Sequence, residues 1–300
     1  MISPCGAVIV AHARLDLARG CVASLRRSLD ADRIVVVVNV RDTPGADELE
    51  ARVISPPAPQ GYGANLNLGV RALPDDVELV VLANDDVVFE DESLPRLVEA
   101  LERDPQLAVA GPRLVNADGS EATSYGRFPT AADAIRELAI LPRPLWKRAQ
   151  RRPAEPARPD FVIGAAMLVR RTSFDAVAGF DEDFFLNFEE TDLCFRLQRA
   201  GWCVAWCPDA VVTHLQGASI SRELNFSTFY SSLALYHAKR LGPLRWPLFE
   251  LLLAALFMIG VLYSAAGAAL RPRSYRRRFE EVRRRWRTRI FLRRRTTRLP

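Results

Sequence analysis

Three apolar, β-branched runs limit what this chain can fold into. They are Ala7–Ala11 (AVIVA), Arg33–Val40 (RIVVVVNV) and Val77–Ala83 (VELVVLA). A strand with one wet face alternates apolar and polar residues. A run without that alternation has both faces dry, as in a parallel sheet covered by helices. Leu15–Leu29 carries apolar residues at helical spacing and separates the first two runs. Ser93–Arg103 follows the third run and is expected to be a helix capped by Ser93. Val53–Ile54, Phe161–Val169, Val204–Trp206 and Ala210–Thr213 are further strand candidates, and Thr191–Ala200 is a further helix. Strand and helix alternating through short loops predict an α/β fold: a doubly wound, mostly parallel sheet with helices on both faces.

Charge divides the chain. From Arg271 to the end there are fourteen arginines against two glutamates, about +12, so the rest must carry about −7 to reach the net +5. The body is acidic and the tail basic, and the overall basicity describes only the tail. Just before the tail, Leu251–Leu270 runs without a charge, long enough in principle to cross a bilayer. Residues 141–160 are rich in Pro and Arg and read as a mobile loop, because strand-like sequence resumes at Phe161. Five cysteines are an odd number without zinc-finger spacing, so reduced structural thiols are expected. No leader peptide is apparent, which with free thiols favours the cytoplasm.

Three constellations could carry chemistry. Asn84-Asp85-Asp86 closes the third apolar run. Ligands of open α/β sheets bind at the carboxyl ends of strands, and paired carboxylates there suit a hard divalent cation. Asp and Asn are also common turn residues. Glu189-Glu190-x-Asp192 follows the aromatic run Phe184-Phe185-Leu186-Asn187-Phe188. A carboxylate in apolar surroundings has the raised pKa that suits a general base, although acids also favour the first turn of any helix. His214 ends a strand and could ligate a metal; His12 follows the first strand, where a base or ribose could sit; His237 reads as structural. Residues 60–69, QGYGANLNLG, open a helix with glycines. Their spacing does not fit the dinucleotide fingerprint, but such a turn can still receive a phosphate.

In order along the chain stand VIVAHAR, VVVVNV, QGYGANLNLG, LANDDVVF and FVIGAAMLVRR…GFDEDFFLNFEETDLCFRLQRAGW…VTHLQGAS. Together, over about Val8 to Ser219, they resemble glycosyltransferase family 2: inverting enzymes of GT-A fold, and more narrowly the bacterial rhamnosyltransferase-like branch. The resemblance implies that Asp86 binds Mn²⁺ or Mg²⁺ bridging the diphosphate of a nucleotide-sugar donor, with Asp85 and Asn84 beside it and His214 completing the metal shell. It implies Glu190 as the general base, with Glu189 and Asp192 shaping the acceptor site. It implies that His12, Asn39, Gly61, Gly63 and Asn65 line the nucleotide. An acceptor hydroxyl would lose its proton to Glu190 and attack the anomeric carbon as the nucleoside diphosphate leaves from the opposite face.

Two residues depart from the family pattern. Asn39 stands where an Asp usually ends the second strand, and Glu190 stands where an Asp usually follows the Glu. The longer side chain moves the carboxylate by roughly 1 Å, a displacement that can matter in catalysis. By this reading, residues 1–110 form the nucleotide-sugar half of one domain, 111–240 the acceptor and catalytic half, and 241–300 a membrane-associating appendix. A single span would put the catalytic body and the basic tail on opposite sides, whereas both belong inside. A monotopic or re-entrant anchor at the inner face of the cell membrane is therefore expected, with the tail on anionic lipid headgroups and the acceptor a lipid-linked glycan of the cell envelope. Nucleic acid is not the expected partner. The competing readings are a non-catalytic adaptor that kept the fold and a sugar-nucleotide nucleotidylyltransferase. The latter needs a Gly-rich, Lys- or Arg-bearing loop after Ala11, which is missing.

Overall fold

The computed structural model describes residues 4–12, 14–40, 43–138, 158–215 and 222–270. The expected mobile loop, apart from 158–160, the last four residues of the final motif and the arginine-rich tail lie outside them. The elements in chain order are β1 (Cys5–Ala11), α1 (Leu15–Arg26), β2 (Ile34–Val38), β3 (Arg52–Ile54), α2 (Tyr62–Ala72), β4 (Leu79–Asn84), β5 (Val87–Phe89), α3 (Ser93–Arg103), β6 (Leu107–Asn116), β7 (Tyr125–Gly126), α4 (Ala131–Leu138), β8 (Phe161–Val162), β9 (Ala166–Arg170), α5 (Arg171–Ala176), α6 (Glu189–Arg199), β10 (Cys203–His214) and α7 (Arg222–Leu270). The chain divides into two compact units, residues 1–128 with 149–220, and residues 129–148 with 221–300.

The first unit is built on one eight-stranded sheet of order β3-β2-β1-β4-β9-β6-β10-β5. β2, β1 and β4 run parallel, as do β3 with β2 and β6 with β10; β9 and β5 run antiparallel to their neighbours. The unbroken apolar runs are explained by their two burial partners. Ala7, Ile9, Ala11, Ile34, Val36 and Val38 pack in one core with α1 and α3 residues such as Leu25 and Leu97. Val8, Val35 and Val37 point the other way into a second core with Leu66 of α2 and Leu193 of α6. The doubly wound α/β architecture expected from the sequence is the one observed.

Several local expectations change. Phe161–Val169 is not one strand: β8 pairs with β7 in a small separate sheet, and β9 enters the large one after Ile163-Gly164-Ala165. The two short strands predicted around 204–213 are one strand, β10, whose register against β6 slips between Cys207 and Val211, where Pro208 has no N–H to give. Ser93 does not cap α3, because its hydroxyl donates to the Val211 carbonyl and accepts from the Val211 N–H, tying the helix to β10. In the second unit α7 is interrupted at Gly242, at φ 73° and ψ 174°. Among the described residues no helix is long and apolar enough to cross a membrane.

Candidate active site

Strand order reverses around β1, with β2 on one side and β4 on the other. The crevice at their carboxyl ends is where such sheets bind ligands. β1 delivers His12 there, and β4 delivers Asn84, Asp85 and Asp86. His12 is exposed, and its backbone N–H points at the Asp85 carboxylate. Asp85 and Asp86 are buried at 5% and 6% exposure, and Asp85 Oδ2 and Asp86 Oδ1 accept no hydrogen bond. Burial first, and the Asp86 charge second, push Asp85 up to about 7. Two buried acceptors without donors cost stability unless something positive meets them.

His214 reaches this pair through the sheet. β10 runs antiparallel to β5 with His214 opposite Val87, the residue after Asp86. The Leu215 N–H then donates to the Asp86 carbonyl at 2.8 Å. His214 Nε2 lies 3.3 Å from Asp86 Oδ1 without forming a hydrogen bond. Among the described residues no three His, Cys, Asp or Glu side chains converge into a ready-made metal cage. The donor set is thus a pair of orphaned carboxylate oxygens with one imidazole at its edge. That suits a hard cation which takes its other ligands from phosphate oxygens and water.

Glu189 and Glu190 open α6. The two residues before them, Asn187 and Phe188, are left-handed at φ 68° and 70°, a conformation that costs a bulky residue about 1–3 kcal/mol. Such a turn persists only where its surroundings enforce it. Here the Tyr62 N–H donates to the Phe185 carbonyl at 2.8 Å, and Gly61 fits so closely that a Cβ would lie 2.9 Å from Phe185 backbone atoms. Glu189 is buried and its Oε2 has no partner. Burial, then the neighbouring Glu190 charge, holds Glu189 well above the usual carboxylate range. Glu190 is half-buried, raised by burial and eased by the N–H groups of Thr191 and Gly164. Asp192 pairs with Arg196 at 2.6 Å within the helix.

The expected nucleotide-site residues are held in an amide network. Asn39 Nδ2 donates to the Gln60 carbonyl at 3.1 Å, and the Gln60 N–H donates back to Asn39 Oδ1 at 3.0 Å. Gln60 Nε2 then donates to Asn65 Oδ1 at 3.0 Å. Gly61 and Gly63 face Phe185 and Phe180, so their visible role is close packing of the α2 N-terminus on the loop that leads to Glu189. Gln60, Tyr62 and Gly164 were given no role from the sequence, although each lies inside a motif that was singled out. Gln60 precedes the glycine turn, and Gly164 interrupts an apolar run.

Comparison with known proteins follows the same lines. The family model described as "Glycosyltransferase like family 2" matches residues 4–228. The N-acetylglucosaminyl-diphospho-decaprenol L-rhamnosyltransferase of Mycobacterium tuberculosis is 31% identical over 219 residues, covering 66% of this chain and 71% of its own. Rhamnosyltransferase WbbL of Escherichia coli is 27% identical over 159 residues, covering 49% of this chain and 58% of its own. Among solved structures, the mannosyltransferase PcManGT of Pyrobaculum calidifontis in complex with GDP-Man and Mn²⁺ aligns at TM-score 0.54 and 16% identity over 95% of this chain and 86% of its own. GalNAc-T7 with UDP, GalNAc and Mn²⁺ aligns at TM-score 0.53 and 15% identity over 76% of this chain and 47% of its own. With the sheet, its switch-point acids and a family match that spans them all, the chain belongs to glycosyltransferase family 2, in a rhamnosyltransferase-like form.

Proposed function

We propose that this protein is an inverting glycosyltransferase that moves rhamnose from a nucleoside diphosphate donor to a hydroxyl of a lipid-linked glycan. The observation that carries the reading is the pairing of two acid sites of different character in a family 2 chain. One is a buried pair with orphaned oxygens, Asp85 and Asp86; the other is a half-buried carboxyl raised by burial, Glu190. The sugar and the lipid-linked acceptor come from the mycobacterial relative, named for both.

Asp86, with Asp85 behind it and His214 at its edge, would hold Mn²⁺ or Mg²⁺. When bound, such an ion neutralises charge growing on the departing diphosphate. Glu190 takes the proton of the acceptor hydroxyl; its raised pKa brings it nearer to neutrality, where a general base works best. Glu189 beside it is held high by burial and then by the Glu190 charge, which favours the proton-bearing form of Glu189 while Glu190 is ionised. Asp192 braces the first turn of α6 through Arg196. The Asn39–Gln60–Asn65 network shapes the floor on which the nucleotide lies, with His12 beside Asp85 at the end of β1. One base and no covalent intermediate give inversion.

The residues up to 110 form the donor half of this domain and those from 111 to 240 the acceptor half, with the remainder meeting the membrane. Support for the last point lies on α7. Leu244, Leu248, Leu251, Leu252, Met258 and Ile259 recur at helical spacing and are strongly exposed, Leu244 at 87% and Leu248 at 70%. An apolar stripe followed in sequence by fourteen arginines suits an anionic lipid surface.

The deciding experiment is nucleoside diphosphate release by the full chain in detergent with Mn²⁺ or Mg²⁺, across a panel of nucleotide sugars, with and without a polyprenyl-linked acceptor. Release from one deoxythymidine- or uridine-linked rhamnose donor is expected, raised by acceptor. Asp86→Ala should abolish it, and Glu190→Gln should lower kcat by about 10²- to 10⁴-fold while nucleotide binding persists. Nucleotide binding without release from any donor would overturn the reading in favour of an adaptor.

A further inference from the structure

The three residues between β8 and β9, Ile163-Gly164-Ala165, belong to neither strand, yet three parts of the site are bonded to them. Tyr62, the first residue of α2, donates its hydroxyl to the Gly164 carbonyl at 3.2 Å. The Gly164 N–H donates to the Glu190 carboxylate. The Asn84 N–H, at the head of the Asp85-Asp86 pair, donates to the Ala165 carbonyl at 2.9 Å. Space is tight: a Cβ on residue 164 would sit 3.3 Å from Glu190 Cβ. Tyr62 is pinned at its other end by the backbone bond to Phe185. Its phenol is held far above its ordinary pKa, first by burial and then by the charges of Glu189, Asp85, Asp86 and Glu190, so it remains a donor wherever those acids ionise.

We infer that Tyr62 is a positioning residue for the base. By holding Gly164 it fixes the N–H that aims the Glu190 carboxylate, and it keeps that carboxylate in register with Asp85 and Asp86 through the neighbouring Ala165 carbonyl. The path between the two acid groups is short: three consecutive peptide units from the Glu190 carboxylate to the Asn84 N–H, no flexible side chain among them, and the phenol bonded to the middle one. The departure at Glu190 sharpens the need, because a longer carboxylate has an extra torsion to restrain, and an error of about 1 Å in such a group can cost roughly 100-fold. The inference rests on the reading of Glu190 as the base, and Tyr62 acts through Gly164 without touching the reacting atoms.

The test is a double-mutant cycle on the full chain with Tyr62→Phe, Glu190→Gln and both together. Tyr62→Phe alone should lower kcat by about 10- to 100-fold with donor KM changed by less than about 2-fold. In the Glu190→Gln background the same change should cost less than about 2-fold, because there is no base left to aim. Equal losses in the two backgrounds, or a loss carried by donor KM, would overturn the inference. A second readout is independent of turnover: amide hydrogen exchange at Gly164, followed by NMR, should quicken at least about 10-fold in Tyr62→Phe if the bracket holds. If wild-type protein releases no nucleotide with any donor, the reading of Glu190 fails on its own terms. Exchange at the Gly164 N–H then still decides whether Tyr62, bonded to the carbonyl of the same residue, steadies that segment, and unchanged exchange sinks the bracket.

Discussion

Asn39 both donates to and accepts from the Gln60 backbone, so an aspartate there would lose the donor and set a carboxylate against a carbonyl oxygen. Asn39→Asp, which restores the usual family residue, is therefore expected to destabilise the protein by about 1–3 kcal/mol, read from the urea midpoint at unchanged slope. Glu189 makes a pH-dependent contribution. Its carboxyl is raised above 4.5 in the folded protein, so between 4.5 and that higher value the folded state holds a proton the unfolded chain has released. The Glu189 contribution is then fully present below about pH 4.5 and is lost as pH rises towards the folded value. Glu189→Gln removes the ionisation and should melt above the parent at pH 8, with the difference vanishing near pH 4; a constant difference would show that charge is not the cause. At this scale the acids themselves were legible from their place at strand and helix ends. The Gln60 partner of Asn39 was not, because the two lie 21 residues apart and the segment carrying Gln60 follows β3, whose parallel pairing with β2 brings it to that strand end.

Helix α2 is positioned by what its glycines lack. A Cβ at Gly69 would come within 2.2 Å of Val8 Cγ1, and one at Gly61 within 2.9 Å of the Phe185 backbone. Gly69→Ala must lift the helix from the sheet, at a cost of about 1–3 kcal/mol in thermal or denaturant melting. Gly61→Ala should act differently, because it pushes the loop that leads to Glu189. Its expected signature is a fall in kcat larger than its loss of stability accounts for; a purely proportional loss would show that the loop absorbs the push. The dry strands β1, β2 and β4 were readable because both their faces demand apolar side chains. β6 escaped notice because Gly111 and Pro112 sit in its middle. The glycine is needed where a Cβ would strike Val162 at 2.5 Å, and that neighbour comes 51 residues later. β10 read as two strands for a related reason: Pro208 and Asp209 mark a register slip inside one strand.

The molecule separates its charges along the sequence, an acidic body and an arginine-rich end, and α7 presents an exposed apolar stripe ahead of that end. Full-length protein should bind vesicles containing about one-third phosphatidylglycerol and ignore neutral ones, with binding falling between 0.1 and 1 M salt as the screening length drops from about 10 to 3 Å. Leu248→Glu with Leu251→Glu should weaken binding at every salt concentration. Binding that survives high salt in the double variant would rule out both contributions. The doubly wound α/β class was foreseeable from strand and helix alternation, whereas the insertion of an antiparallel β9 between β4 and β6 was not, since no local pattern distinguishes it from the other apolar runs.

That insertion has a consequence for how the protein is made. Among the described strands, β6 pairs in the large sheet with β9 and β10, and β4 pairs with β1 and β9. On the ribosome, β6 is complete at Asn116 and must wait until Ala166 and beyond emerge. At translation speeds of about 5–20 residues per second that interval lasts several seconds, during which the β4 edge is an open template for any passing strand. The nascent chain should therefore depend on a chaperone that shields strand edges, and its sensitivity to misfolding should peak while residues 117–165 are being synthesised.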